Sequence, residues 1–357
     1  MTDPVRFAIV GAGWRAGFFL RVARELPDRF ALTGLLSRDA AKADRLGRQW
    51  VVPQRASLDD LLADEPAFVV VVVPWAATPG LLREVTERGV PCLSETPPAP
   101  DVDGLLALRQ LADAGARIQV AEQYQFQPLH AARLAISRSG RLGTVSQVQV
   151  SVAHGYHGIN LIRRMLAVTF DPVTITARRF TSPLVAGPDR SGPPASERIA
   201  PSEQLIATFD FGERLGILDY TEDQYFSWIR SPRLLVRGER GEINGTTLRY
   251  MVDATTPATM ELVRHDAGQD GNLEGLYHKG ITCGEEWVYR NPFVPARLAD
   301  DEIAVATCLA RMAEYVEGGP DFCSLADAVH DHHLGILADE AAASGKPRHL
   351  AGHLWSS

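Results

Sequence analysis

The sequence predicts an α/β protein: a doubly wound parallel sheet, followed by an α+β domain with an open, mostly antiparallel sheet. Residues 5–120 alternate short apolar runs with longer stretches of helical periodicity. Within them, residues 68–73 are continuously apolar, which is typical of a strand buried on both faces. Beyond residue 143 the strand-like segments alternate polar and apolar residues and are separated by short turns. That pattern favours an antiparallel meander.

The elements of the first part follow from these two periodicities. Continuous apolar runs predict strands over residues 6–10, 30–36, 68–73, 90–93 and 117–120. Apolar spacings of three and four predict helices over residues 14–26, 40–50, 58–63, 81–89 and 103–114. Alternating strands and helices indicate a parallel sheet covered on both faces, with right-handed crossovers.

The second part combines strands and two long helices. Alternating patterns predict strands over residues 144–152, 203–211, 215–220 and 234–237, with another that begins at Val173. Residues 180–201 are rich in Pro, Gly and Ser and predict a loop or rim. Amphipathic helices are predicted over residues 300–316 and 325–343. The expected domains are residues 1–122 and 123–345, followed by a tail, 346–357.

Composition excludes several classes of protein. The 357 residues are 45% hydrophobic and 22% charged, as in ordinary globular proteins. The formal net charge of −8 argues against nucleic acid as the main partner. No apolar segment approaches the ~20 residues that cross a bilayer, and no signal peptide is recognisable, so a cytoplasmic protein without a membrane partner is expected. The four cysteines show no metal-binding spacing and are expected to be reduced and mostly buried.

One histidine-rich segment resembles a metal site. His330 and His333 lie one turn apart on the second long helix, with Asp331 and His332 between them. A zinc site needs further ligands, and none is evident elsewhere in the sequence. We therefore expect a solvated helix face and no metal.

The first strand ends in a glycine motif. Gly11 to Ala16 reads G-x-G-x-x-A between a strand and a helix. Gly11 would make the tight turn, and Gly13 would let a pyrophosphate approach the backbone at the helix N-terminus. Trp14 and Arg15 lie within the same turn, and Arg15 is expected to help hold the pyrophosphate. The motif predicts dinucleotide binding, with a merely structural turn as the alternative.

The end of the second strand distinguishes between cofactors. An acidic residue there would bind the ribose 2′-hydroxyl of NAD. Here Ser37 and Arg38 occupy that place, and a hydroxyl beside a guanidinium suits the 2′-phosphate of NADP. The sequence therefore favours NADP over NAD. The alternative is an exposed Arg38 that pairs with Asp39.

Several segments together resemble the glucose-fructose oxidoreductase/inositol dehydrogenase/MocA (Gfo/Idh/MocA) family. They are residues 11–16, 69–74, 89–97, 124–128, 140–143 and 155–164. The resemblance implies an N-terminal Rossmann domain, a nicotinamide at the seam with the second domain, and homo-oligomers formed through the C-terminal sheet. It also implies that Val73, Pro74 and Glu95 border the cofactor. Typical chemistry would be hydride transfer at a hydroxyl-bearing carbon of a sugar or polyol.

The sequence departs from this family at charged positions. Glu95-Thr96-Pro97 stands where members carry Glu-Lys-Pro, and Thr96 brings a hydroxyl without a charge. Ala153 and Asn160 replace both aspartates of the family's Asp-x-Gly-x-His-x-x-Asp motif, whereas its histidine is retained as His157. A third departure is the short segment that precedes this motif, which leaves the register of Ala153 open, with His154 as the alternative residue in the place of the missing acid.

A catalytic role for His157 follows from these positions. Histidine titrates near neutral pH, so His157 is the expected acid/base, with Tyr124 and Asn160 as orienting partners and Thr96 near the nicotinamide. Helical spacing would place His157, Asn160 and Arg164 on one face. The alternative is that His157 only caps or packs the helix. Lys279 is a weaker candidate for replacing the missing ammonium group.

These observations predict an NAD(P)-dependent oxidoreductase acting on the CH–OH group of a sugar, polyol or related cyclic molecule. Two other functions stay open. One is a non-catalytic nucleotide-binding sensor or scaffold on the same fold. The other is a cofactor-assisted elimination or hydrolysis without net redox change.

Overall fold

The computed structural model describes residues 3–356, which form two compact units. The first unit contains residues 3–130, 264–280 and 289–329, and the second contains residues 131–263, 281–288 and 330–356. The sequence analysis expected each domain to be one continuous segment of the chain. In the structure, residues 264–280 and 289–329 also belong to the first unit. Packing of an apolar helix explains this arrangement, as described below.

A five-stranded sheet forms the centre of the first unit. Its strands are β1 (Val5–Val10), β2 (Phe30–Leu36), β3 (Phe68–Val71), β4 (Cys92–Ser94) and β5 (Ile118–Val120). They run parallel in the order β2-β1-β3-β4-β5, which confirms the doubly wound sheet. The order reverses between β1 and β3, and the carboxyl ends of these two strands are where such sheets bind ligands.

Helices connect these strands and begin close to the predicted positions. They are α1 (Ala16–Glu25), α2 (Ala40–Trp50), α3 (Leu58–Leu62), α4 (Thr78–Thr86) and α5 (Val102–Asp113). Side chains of Asp39, Ser57 and Asp101 cap α2, α3 and α5 by accepting a hydrogen bond from a backbone N–H of the first turn.

The later segments join the first unit through α8 (Asp300–Val316). Its apolar residues Ile303, Leu309 and Met312 are fully buried in the same core as Phe19 and Leu20 of α1. Burying such side chains stabilises the fold by about 2 kcal/mol each. The amphipathic pattern predicted the helix itself, but it contains no signal for which sheet the helix covers.

The second sheet has eleven strands in the order β15-β14-β13-β12-β11-β10-β6-β9-β8-β7-β16. The strands are β6 (Val145–Ser151), β7 (Val173–Val185), β8 (Ile199–Asp210), β9 (Leu215–Thr221), β10 (Arg233–Gly238), β11 (Gly241–Asn244), β12 (Thr247–Met251), β13 (Pro257–Asp266), β14 (His278–Cys283), β15 (Glu286–Arg290) and β16 (Arg348–Leu350). Strands β6 and β9 are parallel, while β7, β8 and β9 pair antiparallel. The mostly antiparallel sheet is thus confirmed.

Three further helices complete the chain. They are α6 (Pro128–Arg138), α7 (Gly155–Leu166) and α9 (Leu325–Ser344). In the second unit α7 packs closely on the sheet: a Cβ added at Gly158 would lie 2.5 Å from Leu218 of β9, and one added at Gly216 would lie 2.4 Å from Ile162. The absence of side chains at these two glycines allows helix and strand to approach.

The predicted loop over residues 180–201 is too long at both ends, because strands occupy residues 180–185 and 199–201. Strands β7 and β8 continue as a ribbon to the pair Val185 and Ile199, which leaves only residues 186–198 outside strands. Pro183 and Pro201 lie directly opposite each other, so the two missing N–H groups are confined to one place along the ribbon. Loop-like composition therefore did not prevent strand pairing.

The last residues are also more ordered than a tail. In β16, Leu350 pairs with Val173 of β7, which extends the sheet at its edge. A short 3-10 turn follows over Leu354–Ser356. His353 and Leu354 are both buried, so this segment contributes to the packing of the second unit.

The prediction of a solvated histidine face is wrong. His330, Asp331 and His333 are buried, because this part of α9 lies against other elements of the second unit. The His330 ring packs edge-on against Phe170 at 5.1 Å and stacks on His353 at 5.4 Å between ring centroids. Within residues 3–356, no group of three or more side chains is arranged to hold a metal ion.

Two other expectations concern buried thiols and membrane spans. Cys92, Cys283, Cys308 and Cys323 are all buried and unbridged, as predicted. No helix among the described residues combines the length and apolarity needed to cross a membrane.

Burial, together with the charge of Arg163 and the nearby His353 and His333, lowers the pKa of His330 to about 2. Neither ring nitrogen of His330 has a hydrogen-bond partner in the described structure. The folded protein therefore holds a neutral imidazole that the unfolded chain would protonate below its ordinary pKa of about 6.5.

We expect this histidine to make the protein sensitive to acid. Its folded-state pKa is depressed, so its contribution is fully present above pH 6.5 and is lost as the pH falls from 6.5 towards 2. Between pH 7.5 and pH 5, His330→Phe should reduce the loss of unfolding free energy by about 2 kcal/mol. Urea unfolding followed by circular dichroism at both pH values measures the difference. His349→Phe, at an exposed position, is the control, and an unchanged pH dependence in His330→Phe contradicts the prediction.

Candidate functional site

A cleft of about 840 Å³ opens at the carboxyl ends of β1 and β3. Four loops contribute to it, one after each of β1 to β4. The residues predicted to bind the cofactor all line it: Gly11, Gly13, Trp14, Arg15, Ser37, Arg38, Val73, Pro74 and Glu95, together with Thr96. The strand-order reversal thus brings together residues from four separate segments, at the place where this fold binds ligands.

The two glycines of the first turn have different structural tasks. Gly11 has φ +120, and a Cβ added there would lie 1.8 Å from the carbonyl oxygen of Val72. Only glycine fits at that position. Gly13 has no atom within 4 Å of such a Cβ and borders the open cleft. The first glycine is required by the backbone, whereas the second leaves space for a ligand.

The N-terminus of α1 opens onto the same cleft. Its N-cap residue, Arg15, makes no side-chain cap, unlike the capped starts of α2, α3 and α5. The backbone N–H groups of Ala16, Gly17 and Phe18 donate to carbonyl oxygens of the preceding turn at 3.1–3.2 Å, so what this terminus offers an anion is the positive end of the helix dipole. This terminus has the chemistry expected of a pyrophosphate site.

Arg15 has different partners from those expected. Its Nε lies 2.8 Å from Glu95 Oε1, and its Nη1 lies 2.5 Å from Asp301 Oδ2. The side chain is 15% exposed. Burial acts against the charge, but Glu95 and Asp301 outweigh it and raise the pKa of Arg15 above its ordinary value. The guanidinium therefore fixes the glycine turn to the end of β4 and the start of α8.

The Glu95-Thr96-Pro97 segment lies at the edge of the cleft. Thr96 donates its backbone N–H to Glu95 Oε2 at 3.2 Å, while Glu95 Oε1 accepts from Arg15. Glu95 is thus engaged on both oxygens. Lys279 forms an ion pair with Glu274 instead of being free to replace the missing lysine.

The end of the cleft next to β2 contains two cations, Arg38 and Lys42. Asp39 accepts a hydrogen bond from the backbone N–H of Lys42 at 2.9 Å and thereby caps α2, and its own N–H donates to Ser37 Oγ at 3.2 Å. The alternative Arg38–Asp39 pair is not formed in the described structure, where Arg38 is exposed. Lys42 also lines the cleft. The sequence analysis did not identify Lys42 as a site residue, although its position four residues after Arg38, in the first turn of α2, was a signal.

His157 lies in the first turn of α7 in the second unit and is 6% exposed. Its ring centroid is 5.1 Å from that of His154 and 4.4 Å from that of Tyr156. His157 therefore belongs to a compact cluster of imidazole and phenol rings, which the sequence analysis did not identify as a unit.

Asn160 is fully buried, three residues further along α7. Its Nδ2 donates to Asp331 Oδ2 at 2.7 Å, and Arg163 donates to the other oxygen at 2.5 Å. The arginine that contacts α9 here is Arg163, which was not part of the expected polar face of His157, Asn160 and Arg164. In this position Asn160 links two helices. Asp331 was missed because it lies 171 residues away in sequence.

Tyr124 belongs to the first unit, in the 3-10 turn Tyr124–Phe126. Its backbone N–H donates to Glu122 Oε1 at 3.2 Å, and its ring centroid lies 6.3 Å from that of His130. Tyr124 is not among the described residues that line the cleft.

Comparison with known proteins identifies the first domain. Residues 5–122 match the family described as "Oxidoreductase family, NAD-binding Rossmann fold", the Gfo/Idh/MocA family. The match covers the part of the chain that carries the glycine motif and residues 69–74 and 89–97, and it confirms the resemblance found in those motifs. A comparison with individual curated proteins found no match to the chain.

Solved structures share the fold over nearly the whole chain. An oxidoreductase domain protein from Kribbella flavida superposes with a TM-score of 0.69 at 16% identity, covering 98% of this chain and 99% of the other. An oxidoreductase from Agrobacterium radiobacter, in complex with NAD+, L-tartaric acid and magnesium, has a TM-score of 0.68 at 16% identity and covers 99% of each chain. A myo-inositol dehydrogenase from Corynebacterium glutamicum has a TM-score of 0.65 at 19% identity, with coverage of 97% and 99%. At these identities the likeness is one of fold.

The open space at Gly13 leads to a prediction about cofactor binding. Gly13→Ala should fold normally, because its Cβ meets no atom within 4 Å, but it should weaken nicotinamide cofactor binding at least about 10-fold by filling the approach to the helix N-terminus. Quenching of tryptophan fluorescence can measure affinity, since Trp14 and Trp75 line the cleft. Gly17→Ala, within α1 and equally free of contacts, is the matched control. Equal affinities for the two variants would contradict this role of Gly13.

Proposed function

We propose that the protein is an NADP-dependent oxidoreductase that transfers hydride to or from a hydroxyl-bearing carbon of a sugar, polyol or related cyclic molecule. The observation that carries the proposal is the cleft of the first unit, with an open Gly13 beside an uncapped helix N-terminus. Neighbours with the same fold include myo-inositol dehydrogenases and complexes with NAD. They support a nicotinamide cofactor and a polyhydroxylated substrate.

The preference for NADP rests on charge at the adenosine end. Arg38 and Lys42 both border the cleft beside the hydroxyl of Ser37, so two cations and a hydrogen-bonding group are available to a 2′-phosphate. The nearby carboxylate of Asp39 accepts from the N–H of Lys42 at the start of α2. This arrangement favours a phosphate over a bare ribose hydroxyl.

Replacing these groups should change the cofactor preference. In Arg38→Ala the affinity for NADPH should fall by about 10-fold or more, because a charge-assisted contact is lost, whereas the affinity for NADH should change little. Ser37→Asp should add repulsion against the 2′-phosphate and favour NADH. Titration of both cofactors by tryptophan fluorescence provides the ratio. Arg45→Ala, on α2 but outside the cleft lining, serves as control. A ratio unchanged in both variants contradicts the NADP preference.

His157 is proposed as the acid/base. A bound nicotinamide supplies the hydride acceptor, and oxidation of the alcohol also requires a base for the hydroxyl proton. His157 can take that proton on a neutral ring nitrogen and return it in the reverse direction. Thr96 would border the nicotinamide, and Tyr124 would donate or accept through its hydroxyl. Asn160 would act on His157 only through the position of α7, since its amide is bound to Asp331.

Removing the imidazole tests this role. His157→Gln should lower kcat by about 10²–10⁴-fold, the usual contribution of a general acid/base, while NADPH binding stays unchanged. Absorbance of the reduced nicotinamide during turnover of polyols and keto sugars measures the rate, and a fluorescence titration measures cofactor affinity. Undiminished turnover in His157→Gln would show that another group moves the proton.

A nucleotide-binding sensor and a cofactor-assisted elimination or hydrolysis are the two alternative functions. Both are supported by Thr96 and Ala153, which stand where the related family carries charged residues. A nucleotide-binding sensor would bind NADPH tightly without forming product from any substrate. A cofactor-assisted elimination or hydrolysis would form product without net change in nicotinamide absorbance. The same assay therefore separates all three functions.

We also propose that the protein acts as a cytoplasmic homo-oligomer that pairs through the second sheet. Phe180 and Ile206 are 47% and 41% exposed on neighbouring strands. In the register Ile206 lies opposite Arg178, two residues from Phe180, so the two apolar side chains share one face of the sheet. Such a patch favours association with another copy. Sedimentation velocity tests this proposal, and a monomer at micromolar concentration would contradict it.

A further inference from the structure

Four rings surround the start of α7 in the second unit. We call them the His154 cluster: His154, Tyr156, His157 and Tyr225. The His154 centroid lies 5.2 Å from that of Tyr156, 5.1 Å from that of His157 and 5.7 Å from that of Tyr225. Tyr225 comes from a 3-10 turn after β9. The cluster thus combines residues that are 71 positions apart in sequence.

Two hydrogen bonds join His154 to Tyr225, and together they favour one tautomer of the imidazole. Tyr225 Oη accepts the backbone N–H of His154 at 3.3 Å and lies 2.6 Å from His154 Nδ1. With its oxygen accepting from the backbone, the phenol can donate its own hydrogen to Nδ1. An imidazole that accepts at Nδ1 carries its proton on Nε2 when neutral.

The surroundings of His154 favour this neutral form. Burial, followed by the neighbouring His157 and His332, lowers the pKa of His154 to about 3. No carboxylate appears among these influences. His154 therefore presents a neutral N–H donor at Nε2 over the pH range in which enzymes of this kind work.

This donor lies next to Ala153, at which the side chain brings no hydrogen-bond acceptor. The related family carries an aspartate where Ala153 stands here, and Ala153 is fully buried and brings no polar side-chain atom. A carboxylate would accept a hydrogen bond from a substrate hydroxyl. A neutral imidazole N–H instead requires an oxygen that accepts, and a site built to donate rejects a partner that leaves its donor unpaired.

We propose that His154, held by Tyr225, is a specificity-determining residue that donates a hydrogen bond to a carbonyl or carboxylate oxygen of the substrate. This inference rests on the proposed function, because a substrate in contact with His157 is within reach of a ring 5.1 Å away. The substrate class is accordingly a sugar or cyclic polyol that carries an oxo or carboxylate group beside the reacting carbon.

Binding of matched compounds tests the proposal on the full chain saturated with NADPH. Calorimetry compares glucuronate with glucose, and a keto-inositol with myo-inositol, so that the two pairs separate a carboxylate from a carbonyl. The wild-type protein should bind the acceptor-bearing member of at least one pair about 10-fold or more tightly, as expected for one well-placed hydrogen bond. Tyr225→Phe and His154→Leu should reduce that preference to within about 2-fold.

Two variants serve as controls. His154→Asn retains an N–H donor and should keep part of the preference. His349→Leu removes an exposed imidazole elsewhere in the second unit and should leave it unchanged. Should His154→Leu fail to fold, Tyr225→Phe decides, because it removes a single hydroxyl from a residue that is 39% exposed.

The outcomes separate this inference from the proposed function. A wild-type protein that binds neither member, or both equally, overturns the role of His154, as does a preference that survives in Tyr225→Phe. If the preference is present and lost in the variants, but no compound changes nicotinamide absorbance, then the donor role stands and the oxidoreductase proposal fails. If the protein oxidises or reduces a compound but binds both members of each pair equally, the oxidoreductase proposal stands and the donor role of His154 fails.

Discussion

Two partly buried ion pairs, which Arg15 forms with Glu95 and with Asp301, hold the first unit's binding cleft together. These residues are separated by 80 and 286 positions, and they join the glycine turn, the end of β4 and the start of α8. Removing one partner of such a pair leaves a charge without compensation. Charge therefore fixes the wall of the cleft, and the start of α1 beside it has no side-chain cap.

The second unit buries polar groups in a different way. Asp331 compensates Arg163 and also accepts from Asn160, so that α7 and α9 are joined through one carboxylate. The histidines nearby are kept neutral by burial, which lowers the pKa of both His154 and His330. A neutral imidazole costs less to bury than a charged one, and it donates at one nitrogen and accepts at the other. The proposed role of His154 therefore depends on its tautomer and not on a charge.

The charged groups that the related family uses are absent at three places, where Thr96, Ala153 and Asn160 stand. Lys279 pairs with Glu274 and so does not replace the missing lysine, whereas the carboxylate of Asp331 lies next to Asn160 and accepts its hydrogen bond. The proposed chemistry relies on His157 for proton transfer and on neutral donors for orientation. Such a site would depend less on Coulombic attraction and more on the directions of individual hydrogen bonds.

The sequence alone determined features that depend on neighbouring residues. Continuous apolar runs predicted the parallel strands, and the Gly11 turn follows from a backbone that no other residue fits. Ser37 and Arg38 were recognised because they directly follow β2. Only the tertiary structure decided the partners of Arg15 and Asn160, the return of α8 to the first unit, the burial of His330 and the pairing of Pro183 with Pro201. These depend on contacts between distant segments, and a local pattern of apolar and polar residues specifies which side of an element is buried without specifying what covers it.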